Sequence, residues 1–319
     1  MLFEIIRKSI PKHQILVDVI SELLEVSADA AYRRIRAEKL LNFNEIALLC
    51  QHFNISLDTL INVTGDNDIR CHYAPLDLRD PQNYLIYLEK MDEGMDPIMN
   101  EPDGELMMTA VDLPVYHYLS YKELTSFRLF AWCNSVYGFT EGYDEFVKHF
   151  DYDGISNSCK KVVKSFQNCP SIEIWTDYAL DQTLRSLNYH FEMGHFADVN
   201  IPIVLCEQLL DMLNTIHNWT VKGLKGPNET PFKFYVSETD LNNNFVLLKK
   251  DGVISCSLKL FIINHFRIYD QRFCTEAENW LNTAIQRSTL ISGSSEKQRY
   301  NFFNQQRQKI NTLMEKVGR

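Results

Sequence analysis

The chain has 319 residues, of which 45% are hydrophobic and 23% charged, and its formal net charge is −10. This length and balance are typical of a folded protein with a buried core, and they exclude the disordered and fibrous classes. No stretch reaches the roughly 18 uninterrupted apolar residues of a membrane helix. The first residues, MLFEIIRKSIPK, lack the apolar core of a secretory signal. We therefore expect a cytoplasmic protein that does not associate with membranes.

The negative charge is unevenly distributed, and the distribution changes where the sequence pattern breaks. Residues 1–62 contain short helical patterns and carry a net charge of −1, whereas residues 63–319 carry −9. Between the two, VTGDNDIRCHYAP at 63–75 contains glycine, proline and several turn-forming polar residues. The sequence thus predicts a first domain over 1–62, a linker over 63–75 and a second domain over 76–319.

The first domain contains a helix-turn-helix pattern. An apolar stripe at helical spacing predicts its first helix, and the members are Ile15, Leu16, Val19, Ile20, Leu23 and Leu24. Ser27 is a suitable N-cap for a second helix that starts at Ala28, and Ser21 is small enough to let the two helices cross closely. Ala31 and Ile35, four residues apart, are predicted to face inward.

The residues that follow predict two further helices. The segment FNEIALLCQHF predicts a helix whose inward face carries Phe43, Ile46, Ala47, Cys50 and Phe53. Asn54 is predicted to be its left-handed C-cap, and Ser56 the N-cap of a short closing helix that ends near residue 62. Together with the segment at the start of the chain, this predicts five helices in the first domain.

These features resemble the XRE or lambda-repressor-like DNA-binding domain, with V-S at the turn, a basic second helix and a final N-I-S-L-D-T-L. The forms AYRRIR and HFNISLD, with STLISGSSEKQRYNFFNQQRQKI near the other end, are similar to a group of bacterial transcriptional regulators, some described as BetR-like. The resemblance implies a helix-turn-helix domain over residues 1–62 and a role in transcription. It implies no chemistry for the remaining four-fifths of the chain.

Two positions depart from the pattern of that family. The turn position usually held by glycine is Glu25, which predicts either a strained left-handed residue or a turn of different shape. The inward residue usually found three positions after the alanine is here four positions after it, Ile35 instead of Arg34. The second helix is therefore predicted to be rotated or longer by one residue.

The outward side of the second helix carries the candidate DNA contacts. These are Ser27, Ala28, Asp29, Tyr32, Arg33, Arg34, Arg36 and Lys39. Because arginine pairs bidentately with guanine or phosphate, Tyr32, Arg33 and Arg36 are predicted to reach bases. Ser27, Arg34 and Lys39 are predicted to contact phosphates.

The alternative for this helix is an ordinary solvated face, because residues 28–40 carry only four basic side chains against two acidic ones. A domain with a net charge of −1 cannot rely on bulk attraction to DNA. We therefore expect a homodimer on double-stranded DNA, with its two recognition helices about 34 Å apart.

The second domain is predicted to be mostly helical α+β with a small antiparallel sheet, so that the whole chain is mainly α. Helical spacing recurs over 82–98, 121–137, 155–167, 178–193, 202–222, 273–290 and 295–316. Runs of β-branched and aromatic residues over 231–270, separated by turn signals, predict a β-meander. Shorter strands are predicted at 104–111 and 171–175.

The last predicted helix has Ser295 and Gln298 at capping-box spacing. It can be interpreted as a dimerisation or DNA-backbone helix, or as a helix that packs on its own domain. We favour packing, because mixed-charge amphipathic helices are common.

The second domain carries no recognisable catalytic or nucleotide-binding motif. The eight cysteines are scattered and predict reduced thiols. The spacing of His190 and His195 is not that of a two-histidine metal helix, and Gly194 favours a helix end instead. We predict that the protein is not an enzyme and has no cofactor or metal.

The favoured interpretation is a regulatory and dimerisation domain that responds to a small-molecule or protein effector. Two alternatives come from other classes. One is a protein-interaction module whose N-terminal helices are structural, and the other is an enzyme with a DNA-binding appendage.

Overall fold

The computed structural model describes residues 2–10, 14–53, 55, 57, 69–73, 76–80, 82–150, 152–260 and 263–318. Within it the chain divides into two compact units, Met1–Ile69 and Arg70–Arg319. We call them the small and the large unit.

The small unit is helical. Its helices are α1 (Leu2–Ser9), α2 (Leu16–Leu23), α3 (Ala28–Ile35) and α4 (Phe43–His52). Their inward residues form one core of Ile6, Leu16, Ile20, Ala31 and Leu49, because apolar residues three and four apart share a helix face. The described residues of this unit thus form four helices and not the predicted five. Asn54, Ser56 and residues 58–68, where the C-cap, the closing helix and most of the linker were predicted, lie outside the described residues.

The large unit combines helices with one extended sheet. Its helices are α5 (Gln82–Glu93), α6 (Val115–Tyr118), α7 (Lys122–Tyr137), α8 (Tyr143–His149), α9 (Tyr152–Gln167), α10 (Asp181–Glu192), α11 (Ile201–Lys222), α12 (Gln271–Gln286) and α13 (Glu296–Val317). Its strands are β1 (Cys71–Tyr73), β2 (Glu105–Ala110), β3 (Ser171–Thr176), β4 (Leu224–Lys225), β5 (Thr230–Ser237), β6 (Phe245–Lys249), β7 (Val253–Lys259), β8 (His265–Ile268) and β9 (Ser288–Leu290).

The prediction of a mainly α fold with a small antiparallel sheet is wrong. The nine strands form one mixed sheet in the order β1-β8-β7-β6-β2-β3-β5-β4, with β9 also paired to β5. β3 lies parallel to both β2 and β5, and the other pairings are antiparallel. Strand β5, which the sequence assigns to the same meander as β6, is separated from β6 by β2 and β3.

The parallel centre of the sheet explains the helices that the sequence predicts between the strands. Parallel neighbours need a crossover connection, and the chain supplies α6 to α9 between β2 and β3, and α10 and α11 between β3 and β5. Every residue of β3 is buried, as expected for a strand covered on both faces.

Each face of the sheet packs against helices. On one face, α12 contributes Cys274 and Leu281 to a core that also contains Met107 and Leu247. On the other face, the alternate residues of β2 and β5 meet the larger core formed with α7, α9, α11 and α13, because successive side chains of a strand point to opposite faces.

The last helix, α13, packs on α11 through Phe303 and its neighbours at helical spacing, as the favoured interpretation has it. The predicted capping box is absent, because Ser295 adopts a left-handed φ of 57° and its side chain makes no capping hydrogen bond. No helix within the described ranges is both long and apolar enough to span a membrane.

Candidate nucleic-acid interface

The turn between α2 and α3 is held by Ser21 and Val26. The Ser21 hydroxyl donates to the Val26 carbonyl at 2.6 Å, and the Val26 amide donates to the Ser21 carbonyl at 3.0 Å. Glu25 lies between them with φ of 51°, in the left-handed region that favours glycine. Of the two expectations for this position, a strained left-handed residue or a turn of different shape, the structure has the left-handed residue.

Helix α3 begins at its predicted cap. The Ser27 hydroxyl accepts a hydrogen bond from the Ala30 amide at 3.3 Å, which satisfies one of the free donors of the first turn. The helix ends at Ile35, and Ala37 follows with φ of 60°. Ala31 is fully buried, and this sets which side chains of the short helix face outward.

Arg34 faces inward, contrary to its predicted place on the DNA-facing side. Only 6% of it is exposed. Its Nε and Nη2 donate to Glu45 Oε1 at 3.1 and 2.6 Å, and its Nη1 donates to the Ala30 carbonyl at 3.0 Å. The guanidinium donors are therefore used within the small unit, which argues against the predicted phosphate contact of Arg34. Arg34 and Ile35 both contribute to the inward side, since Ile35 packs against the core.

Glu45, the partner of Arg34, was not singled out from the sequence. Its second carboxylate oxygen accepts from the Asn42 amide at 3.1 Å, while the Glu45 amide donates to Asn42 Oδ1 at 2.9 Å. The pair forms a capping box at the start of α4. The hydrogen bond from Arg34 holds the pKa of Glu45 below its ordinary value. The N-x-x-E spacing at Asn42 was the available signal for this carboxylate.

The outward side of α3 presents Tyr32, Arg33 and Arg36. Tyr32 is 48% exposed, and the Arg36 guanidinium lies 5.2 Å from its ring centre. Arg36 also lies 3.6 Å from a Glu38 oxygen, at an exposed pair that contributes little stability. Arg33 is exposed, and no described carboxylate is within ion-pair distance of it.

The remaining predicted contacts are also at the surface. Ser27, Ala28 and Asp29 are exposed around the start of α3, and Lys39 is exposed in the loop after it. With Arg34 committed to Glu45, the exposed charges of residues 28–40 are three basic and two acidic. The accessible surface is therefore less positive than the sequence indicates, and its cations are concentrated toward the end of α3.

The loop before α4 and the first residue of that helix add two exposed apolar side chains to the surface of the small unit. Leu40 is 84% exposed and Phe43 is 70% exposed. The sequence predicts Phe43 and Ala47 on the inward face of α4, but both are exposed, and Leu49 is buried instead. The inward face is rotated because the capping box starts the helix at Phe43 and directs Glu45 toward Arg34.

The histidine pair of the large unit forms at the end of α10. The two Nδ1 atoms of His190 and His195 lie 2.8 Å apart, and Gly194 between them adopts φ of 68°. Burial, with a smaller effect of His195, lowers the pKa of His190 to about 4, so one neutral ring accepts a hydrogen bond from the other. Across the part of the chain that the structure describes, no three His, Cys, Asp or Glu side chains are arranged to hold a metal ion.

Several ionisable groups of the large unit are bonded to each other in the core. Arg128 Nη2 donates to Asp112 Oδ2 at 2.6 Å, and Lys259 Nζ donates to the same oxygen at 2.5 Å. His117 Nε2 lies 2.9 Å from Glu173 Oε2, and both side chains are buried. Apart from Lys259, which is partly exposed, these groups are buried and bonded to each other inside the large unit.

No family model, curated protein or solved structure matches this chain.

Proposed function

We propose that the protein is a sequence-specific, DNA-binding transcriptional regulator that acts as a homodimer. The observation that carries the proposal is the outward face of α3, where Tyr32, Arg33 and Arg36 are exposed on a helix preceded by a helix-turn-helix turn with a left-handed residue at Glu25. A helix of this kind fits the major groove, where its outward side chains reach base edges.

The exposed side chains suggest a division of roles. Arg33 and Arg36 read guanine through bidentate hydrogen bonds, with Tyr32 packed beside Arg36, and Asp29 is placed to accept from a cytosine amino group. Lys39 and Ser27 contact phosphates. Arg34 takes no part in this, because its donors are used within the small unit.

The modest local charge supports binding in pairs. Residues 1–62 carry a net charge of −1 and the rest of the chain −9, so non-specific attraction to DNA is weak and one copy makes few phosphate contacts. Two copies on a two-fold symmetric site, with half-sites about 34 Å apart, double the specific contacts without requiring more charge.

The test is selection of a binding site from random double-stranded DNA, followed by fluorescence-anisotropy titration of the full chain at several salt concentrations. Arg33→Ala and Arg36→Ala are each expected to weaken binding by roughly 5- to 150-fold, the equivalent of about 1–3 kcal/mol, and to relax base preference at one position. Lys39→Ala should weaken binding to all sequences alike and reduce the salt slope by about one.

The matched control is Arg185→Ala, which removes the same charge from an exposed arginine of the large unit and should leave affinity unchanged. Failure to select any sequence, or unchanged affinity in both Arg33→Ala and Arg36→Ala, contradicts the proposal. Absence of salt-dependent, selective binding would instead favour the protein-interaction alternative. A complex of one chain per full site, measured by analytical ultracentrifugation, would contradict the dimer.

A further inference from the structure

The large unit contains a cavity of about 110 Å³ that opens to solvent. It lies between one face of strands β2, β6, β7 and β8 and the segments that carry α5 and α6. Its lining is mainly apolar with a few polar groups, which is the combination found at small-molecule sites. It belongs to neither the DNA-facing helix nor the buried ion pairs of the core, although Lys259 borders it.

The register of the sheet explains why there is space here. Met108, Val246, Ser257 and Arg267 are directly opposite one another across four neighbouring strands, so their side chains form one row on the same face. Ser257 is the small member, and it leaves a gap between two large neighbours. On the other side of the gap is Gly94, where an added Cβ would be 3.4 Å from Arg267 Nη2.

Arg267 supplies a positive charge at this mainly apolar site, whose polar lining also includes Thr109, Asn244 and Lys259. Among the described residues, no carboxylate lies within ion-pair distance of it, whereas Lys259 on the same wall is bonded to Asp112. The charge of Arg267 lowers the pKa of Tyr87, Tyr116 and His265. This opposes the effect of burial on the two tyrosines and adds to it on the histidine. The guanidinium is therefore close to three side chains that line the cavity.

Two neighbours of Arg267 determine what it can bind. Burial, followed by the charge of Arg267, lowers the pKa of His265 to about 4, so this ring is neutral at physiological pH and adds no second cation. Tyr116 is stacked on Phe166 at 4.8 Å, and within the described residues its hydroxyl has no hydrogen-bond partner. Burial raises its pKa to about 12, so the hydroxyl keeps its proton and can donate.

We propose that this cavity binds a small-molecule monocarboxylate with an apolar body. The carboxylate pairs with the Arg267 guanidinium and accepts a hydrogen bond from the Tyr116 hydroxyl. The apolar body packs on Met91, Met95, Met108, Val246 and Leu248. Methionines suit this role because their flexible side chains adapt to the shape of an apolar ligand.

The chemistry of the lining excludes other ligand classes. A cationic ligand would face Arg267 without a free carboxylate to compensate it. A sugar-like ligand would lose hydrogen bonds to water that the apolar lining cannot replace, because the polar groups of Thr109, Asn244 and Lys259 are already bonded within the protein. A phosphate dianion carries two negative charges, whereas Arg267 supplies one positive charge that is unpaired among the described residues. A monoanion therefore matches this site better.

If the protein is the proposed regulator, this ligand is its effector, and that role rests on the proposed function. Ligand binding itself is measured on the full chain without DNA. A failure to bind DNA and a failure to bind the carboxylate are therefore separate results.

The experiment is isothermal titration calorimetry of the full chain with decanoate, and with decanol and decylamine as probes of the same length, all below their micellar concentrations. We expect decanoate to bind saturably with one molecule per chain, decanol at least tenfold more weakly, and decylamine more weakly still. Arg267→Gln should weaken decanoate at least tenfold and leave decanol unchanged. A purely structural role of Arg267 would not produce this split between the two probes.

Two variants that fill the cavity, Ser257→Leu and Val246→Phe, should each remove binding of both probes, and thermal unfolding identifies the variant that remains folded. Arg287→Gln, at an exposed arginine at the end of α12, is the matched control and should bind as the unmodified chain does. The proposal is overturned if decanoate does not bind saturably, if decanol binds as tightly as decanoate, or if Arg267→Gln leaves decanoate affinity unchanged.

Discussion

The two units of this protein use their basic side chains differently. In the small unit, Arg33, Arg36 and Lys39 are exposed around the end of α3. In the large unit, Arg128 is buried and bonded to Asp112, and Lys259 joins the same carboxylate. The unit with the smaller net charge thus presents available cations to solvent, while the strongly acidic unit uses some of its cations inside the core. Net charge alone does not tell which cations are free to bind.

Each unit also has one arginine that behaves unlike its neighbours. Arg34 is the inward arginine of a basic cluster that otherwise faces outward. Arg267 lines a cavity without a carboxylate partner in the described part of the large unit. In both cases the decisive factor is whether a carboxylate from another element reaches the guanidinium.

The largest effect is expected for Arg128→Met. It leaves the Asp112 carboxylate buried with Lys259 as its remaining cation, and loss of one partner of a buried pair costs about 3–5 kcal/mol in the free energy of unfolding. All four tryptophans are in the large unit, so urea unfolding followed by tryptophan fluorescence reports on that unit. Lys259→Met is the control and should cost less, about 1–3 kcal/mol, because Arg128 still bonds Asp112. Equal losses in the two variants would contradict this account.

A pH-dependent effect of intermediate size is expected in the small unit. Its Arg34 partner holds the pKa of Glu45 below the ordinary 4.5, so the unfolded chain binds the proton more readily. The stability that this pair contributes is present above about pH 5 and is lost as the pH falls through the lowered pKa. Protection factors of peptides from residues 14–53, obtained by dividing out the intrinsic exchange rate at each pH, should therefore fall more on acidification in the unmodified chain than in Glu45→Gln. Parallel pH profiles in the two chains would show that the pair does not act in this way.

The Arg34–Glu45 pair allows the structural role of Arg34 to be distinguished from a role in DNA binding. Arg34→Gln should speed hydrogen exchange of α3 and α4 at neutral pH, because it removes the bonds to Glu45 and Ala30. At a temperature where the small unit remains folded, we expect its affinity for the selected DNA to change by less than about threefold. This is far less than for a base contact worth about 1–3 kcal/mol. A loss as large as that of Arg33→Ala would return Arg34 to the DNA-facing side.

The smallest effect is expected at the turn before α3. Glu25→Gly should stabilise the small unit by about 1 kcal/mol, since glycine adopts a positive φ without the steric cost of a side chain. Glu22→Gly, in the exposed side of α2, is the matched control and should destabilise it by about 0.5–1 kcal/mol. Slower hydrogen exchange in the first variant and faster exchange in the second is the expected pair of results. A destabilising Glu25→Gly would contradict the strain at this turn.

Local features of the fold were predictable because they depend on neighbours in the sequence. The Ser27 cap, the α2-turn-α3 arrangement and the main helices of the large unit follow from spacing and capping within a few residues. The inward face of α4 was harder to predict from the sequence. Phe43 is apolar and at the expected period, but the capping box at Asn42 and the bond from Arg34 turn it outward.

The sheet was mispredicted because strand pairing is not local. The pattern of the run TPFKFYVS is typical both of the first strand of a meander and of a buried parallel strand. Its partner, β3, is about sixty residues earlier, and no turn signal next to β5 indicates it. The cavity depends on the same register, because Ser257 creates space only when β2, β6, β7 and β8 place it between Val246 and Arg267.

The sequence by itself determined the helical elements, the capped second helix of the helix-turn-helix and the outward placement of Arg33 and Arg36, since these depend on periodicity and on contacts within one or two turns. Only the tertiary structure decided that Arg34 is bonded to Glu45, that the sheet is mixed and that Arg267 lines a cavity. In each of these cases the deciding partner comes from another element. Backbone pairing and carboxylate placement across such distances have no local signature in the chain.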